Sequence, residues 1–82
     1  DLKPPRDAKT ALQEYAQSKG MNLPIYREVS RDGPPHDPVF KIEVSIEGEE
    51  ALHGKGLSKR HAEQKAASAL LLKLGVDEGE GA

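Results

Sequence analysis

Residues 39–47, VFKIEVSIE, alternate Phe40, Ile42, Val44 and Ile46 with Lys41, Glu43, Ser45 and Glu47. That period of two puts the apolar side chains on one face of a strand and the polar ones on the other. A sheet built on this strand has a single face to hide, so the rest of the chain must supply a cover for it. Two segments have the 3.6-residue spacing to do so. In residues 7–19, Ala8, Ala11, Leu12, Tyr15 and Ala16 form a stripe, with Asp7 placed to cap the first turn and Lys19-Gly20 to end the last. In residues 58–74, Ser58 is the N-cap, Ala62, Ala66, Ala67, Leu70, Leu71 and Leu74 form the stripe, and Gly75 stops it. The three alanines on that stripe allow a close approach to the sheet.

Two further strands complete the set. IYREVSR, residues 25–31, is rich in β-formers and runs into a turn at Asp32-Gly33-Pro34-Pro35. Tyr26 and Val29 fall on opposite faces there, which predicts a bulge or an edge position. Glu47-Gly48-Glu49-Glu50 is a tight turn into a short third strand, residues 51–55. The expected fold class is α+β, in the order α-β-β-β-α, with two helices packed on one face of a three-stranded antiparallel meander.

The 82 residues fit one domain with a small core. The chain starts at Asp1 on DLKPPR, so residues 1–6 read as a linker from an upstream domain, and residues 76–82 read as a disordered acidic tail. No run approaches the roughly 20 apolar residues that span a bilayer, and no signal segment is present, so a soluble, cytoplasmic chain without membrane contact is expected. Without cysteine there is neither a disulfide framework nor a thiolate metal site.

The formal net charge of -2 conceals a local excess of cations. Setting aside the tail's Asp77, Glu78 and Glu80 leaves 12 basic against 11 acidic residues, and Lys55, Lys59, Arg60 and Lys65 cluster around Glu63. Lys59 and Arg60 fall in the first turn of a helix, where the dipole and unpaired N–H groups already favour an anion. One reading is a solvated basic pair partly neutralised by Glu63; the other is an anion site. GKG, residues 54–56, lacks the spacing of a nucleotide-binding P-loop, and a polyphosphate backbone fits better. In GPPHDPVF, residues 33–40, three prolines stiffen a loop that presents His36, read either as an ordinary proline turn or as a rigid probe. His36, His53 and His61 show no metal-ligand spacing.

Together KTALQEYAQ, LPIYREVSRDGPPHDPVFKIEV and GKGLSKRHAEQKAASALL resemble the double-stranded-RNA-binding domain, over residues 7–75. The branch they look most like is the C-terminal domain of bacterial ribonuclease III. The resemblance implies that Thr10, Gln13 and Glu14 meet one RNA minor groove, and that Pro35 and His36 enter the next. Lys59 and Arg60, with Ser58 and Lys55, would hold the phosphates between them. It further implies a fragment that binds without cutting and carries no cofactor. The parent would be a homodimeric endoribonuclease whose separate domain uses Mg2+. Glu63 stands where many family members carry a third lysine, which predicts weaker nonspecific phosphate attraction. Two alternatives stay open: a similar domain from a non-nuclease RNA-binding protein, and a dimerisation module of the same fold.

Overall fold

A computed structural model describes residues 7–76. The expected linker, residues 1–6, and the expected tail from Asp77 onward lie outside the described residues. The elements are α1 (Ala8–Ser18), β1 (Ile25–Asp32), β2 (Val39–Ser45), β3 (Leu52–Gly56) and α2 (Lys59–Leu74). The strands form one antiparallel sheet in the order β1-β2-β3, so the strictly alternating strand, β2, is the central one.

Ile42 and Val44, with Ile46 just beyond the strand end, are buried on the helix side of the sheet. Leu12 and Ala16 of α1 and Ala66, Ala67, Leu70 and Leu71 of α2 close over Val44 and Ile46. Each fully buried leucine contributes about 1.5–3 kcal/mol relative to an exposed one. Phe40 shares the face of Ile42 but is only half-buried, because it lies at the end of β2; the cover it does have includes the Arg31 guanidinium, 4.7 Å from the ring centroid. Val76 was expected to begin the tail, yet it packs against the core and donates its N–H to Leu71 O at 2.9 Å. The folded part therefore runs one residue past Gly75, which turns the chain out of α2 at φ 78°, a backbone state that costs glycine little.

The close approach anticipated from the alanines needs the strand as well. A side chain at Gly54 would collide with the Ala66 backbone nitrogen and stand 2.6 Å from Ala62 O; one at Gly56 would stand 2.6 Å from Ala62 N. Two glycines on the inward face of β3 and the alanine stripe of α2 thus form one contact between backbones. The helix is fixed over β3 and β2, and α1 packs beside it.

β1 is treated differently. It is an edge strand, and none of its residues is fully buried. The pairing with β2 slips between Glu28 and Ser30, leaving Val29 as the extra residue of a bulge, so both expectations for this strand hold. The reversal after β1 sits slightly later than anticipated: β1 continues through Asp32, and Asp37 N–H closes a turn on Pro34 O at 2.9 Å. Pro35 and His36 are its central residues, with proline where its fixed φ suits the first central position.

Candidate nucleic-acid interface

Because the helices leave β1 only partly covered, its inward side chains form a shelf that both helix starts reach. Tyr26 lies under Lys9 of α1, whose ammonium is 5.0 Å from the ring centroid. Glu28, two residues on, pairs with Lys59 of α2 at 3.3 Å. Beyond the bulge the strand leads to the turn that carries His36. Tyr26 and Asp32 are six positions apart, roughly 20 Å at about 3.3 Å per residue, less what the bulge takes up. The start of α1, the start of α2 and the β1–β2 turn therefore follow one another along a single strand, with the basic helix start in the middle.

Thr10, Gln13 and Glu14 are all exposed on α1. The Thr10 hydroxyl donates to Asp7 Oδ2 at 3.1 Å, which leaves its lone pairs to accept from another donor. Pro35 and His36 are exposed at the tip of their turn. Lys59 and Arg60 are exposed in the first turn of α2, where the Ser58 hydroxyl caps the helix by accepting from His61 N–H at 3.0 Å. Lys55 is placed elsewhere. Gly54 and Gly56 on either side of it face α2, so Lys55 points from the opposite face of the sheet, beside Lys41 on β2. The sheet separates it from the other candidate residues.

Two sequence expectations need correction. Asp7 occupies the N-cap position of α1, but its side chain makes no cap hydrogen bond, because Gln64 and Thr10 hold the carboxylate. Gln64 Oε1 instead accepts from Ala8 N–H at 2.9 Å, so α2 supplies the cap from 56 residues away in sequence. Burial works to raise the Asp7 carboxyl, but hydrogen bonds from Gln64 and Thr10 and the nearby Lys9 amide, helped by the Arg60 charge, hold it below its ordinary value of 3.8. Glu63, expected to neutralise the basic pair, turns to Lys9 at 2.6 Å, and it is Glu28 that accompanies Lys59.

Glu28 and Arg31 were not recognised in the sequence as members of this site. Arg31 Nε is 3.3 Å from Glu28 Oε2. Hydrogen bonding to Arg31 is the main cause that holds the Glu28 carboxyl below its ordinary 4.5; slight desolvation opposes it and Lys59 assists. Tyr26 is a second unforeseen feature. Its hydroxyl is buried without a hydrogen-bond partner among the described residues, and burial, with Glu63 and Asp7 nearby, pushes the phenol up to about 12. The one signal for either lay in β1 itself, where Tyr26 and Val29 could not both face the core of a regular strand.

The family model described as "Double-stranded RNA binding motif" matches residues 8–74. The chain belongs to that family. Ribonuclease 3 of Nitrobacter winogradskyi is 53% identical over 75 residues, covering 92% of this chain and 28% of that protein. Ribonuclease 3 of Ehrlichia ruminantium strain Gardel is 54% identical over 71 residues, 87% of this chain and 31% of its own length. The motif therefore spans about three-tenths of these relatives. Among solved structures, the dsRBD domain of a tRNA-dihydrouridine(20) synthase superposes with a TM-score of 0.76 at 29% identity, over 90% of this chain and 77% of that one. The α-β-β-β-α architecture expected from the sequence is the fold these relatives share.

Proposed function

We propose that this chain binds double-stranded RNA by shape and serves as the substrate-binding domain of a ribonuclease III. The observation that carries the reading is the order along β1: a polar probe on α1, a basic helix start, then a proline-stiffened turn with a histidine. A-form RNA offers a shallow minor groove lined with 2′-hydroxyls and hides its base edges, so a domain meeting two minor grooves and the phosphates between them reads form and not sequence. Thr10, Gln13 and Glu14 would meet the first minor groove and Pro35 and His36 the second. Lys59 and Arg60, with the amides following Ser58, would bind the intervening phosphates. Lys55 is left out of this set because it lies on the far face of the sheet.

The length of the ribonuclease 3 relatives supports a longer parent. Its other domain would cut double-stranded RNA with Mg2+ as a homodimer, in the processing of ribosomal and messenger RNA in the cytoplasm. Among the described residues there is no group of three or more His, Cys, Asp or Glu fit to hold a metal ion. No helix of the described residues is long and apolar enough to cross a membrane.

The test is a titration of labelled RNA duplex of about 20 base pairs, which covers the roughly 16 that such a domain contacts. Binding should weaken linearly in log-log coordinates as salt rises, and a DNA duplex of the same sequence should compete poorly for want of 2′-hydroxyls. Equal competition by DNA, or self-association in place of a salt-dependent shift, would overturn the proposal.

A further inference from the structure

Glu28 stands on the inward face of β1 between two cations. Its carboxylate is 3.3 Å from the Lys59 ammonium and 3.3 and 3.4 Å from two nitrogens of the Arg31 guanidinium. Residues three apart on a regular strand point to opposite faces; the bulge at Val29 is what lets Glu28 and Arg31 share one. The Arg31 guanidinium rests on the Phe40 ring, so it is held at the base of the β1–β2 turn, between Lys59 and the arm bearing His36. The two cations are 58% and 53% exposed and the carboxylate 29%, so all three can meet an approaching phosphate.

We infer that Glu28 is a counter-ion which duplex phosphates must displace, and that Arg31 is a further phosphate-binding residue released with Lys59. This rests on the double-stranded RNA reading above. Lys59 cannot hold a carboxylate and a phosphate at full strength together, and a carboxylate left beside the bound phosphates repels them. A cation already balanced by Glu28 also releases less counterion when RNA arrives, which flattens the salt dependence. Exposed ion pairs of this kind are weak enough to exchange. Glu28 thereby restrains affinity for any duplex, in line with a domain that must release RNA after each cut.

Glu28→Gln keeps the shape and removes the charge. In the 20-base-pair titration it should tighten binding about three- to tenfold, with a salt slope steeper by up to about 0.9, the value of one further phosphate. The gain should shrink when Lys59→Ala is added. Arg31→Ala, made in the Glu28→Gln background, should take about 0.9 off the slope. Unchanged or weaker binding by a Glu28→Gln protein that melts normally would overturn the inference, since weaker binding would mean that Glu28 positions Lys59. An unchanged slope in the Arg31 variant would remove Arg31 from the site. Should Glu28→Gln fold poorly, the wild-type domain still decides. On adding duplex, the NMR signals of the Glu28 carboxyl carbon and Arg31 Nε should shift together, and stationary signals would sink the idea. If the wild type binds no duplex at all, the underlying reading fails and not this one.

Discussion

The two helix starts have the same problem and resolve it in opposite ways. Each begins without an acidic residue in its first turn and with a cation there, Lys9 in α1 and Lys59 with Arg60 in α2. At α1 the fold closes the end from within: Gln64 takes the Ala8 amide, Glu63 takes Lys9, and Asp7 is held by Gln64 and Thr10. At α2 the capping is local, through Ser58, and the basic pair stays at the surface, Lys59 beside the exchangeable Glu28 and Arg60 within the field of Asp7. An end satisfied by the protein's own groups is a joint. One that leaves positive charge at the surface is a place for an anion.

Variants can break this contrast at several depths. The largest effect should come from Gly54→Val, which forces α2 off β3 and disturbs both starts together. A loss of about 3 kcal/mol, near the upper end for overpacking, is expected in a urea melt, with RNA binding lost alongside. Next, Lys59→Ala with Arg60→Ala should weaken binding to every duplex sequence on the order of tenfold, about 1.4 kcal/mol, and reduce the salt slope by about 0.9 to 1.8, since Glu28 already offsets part of the Lys59 charge, while the melt barely moves. An unchanged slope would make α2's start ordinary surface. Gln64→Ala should do the reverse: about 1 kcal/mol of stability goes with the α1 cap, seen by thermal denaturation, and the RNA salt slope stays where it was. The smallest effect is on acid stability. Asp7 and Glu28 titrate below their ordinary values of 3.8 and 4.5 in the folded domain. The stability they contribute is therefore complete above those values and lost as pH falls through the lower folded ones. Melting temperature measured between pH 6 and pH 2.5 should show this decline, and Asp7→Asn should remove part of it.

Much of the fold was legible because it follows from short-range periodicity. The alternation in β2, the stripes of α1 and α2, the Ser58 cap and the Gly75 stop are all encoded within a few residues of where they act. The bulge in β1 was legible as a conflict between Tyr26 and Val29. What escaped notice joins residues far apart in the chain: Gln64 to Ala8 across 56 positions, Lys9 to Glu63 across 54. No local pattern marks such partners, and so residues 7–19 show Asp7 at the N-cap but not Gln64, which accepts from the Ala8 amide. The glycines of GKG look like a piece of a phosphate loop, but their period of two facing an alanine stripe is a packing signal. Lys55 is close to Ser58 and Lys59 in sequence, but the strand's alternation sends it to the other side of the sheet.

The bulge at Val29 has one more consequence. Arg31 lies opposite Phe40 and Glu28 opposite Ile42 with or without the extra residue between them. Deleting Val29 would thus straighten the ladder while each later side chain kept its side, and the angle at which the arm leaves the domain would change. The direction of the arm that carries His36 and the chemistry at its tip are therefore set by different residues, so the one can change while the other stays.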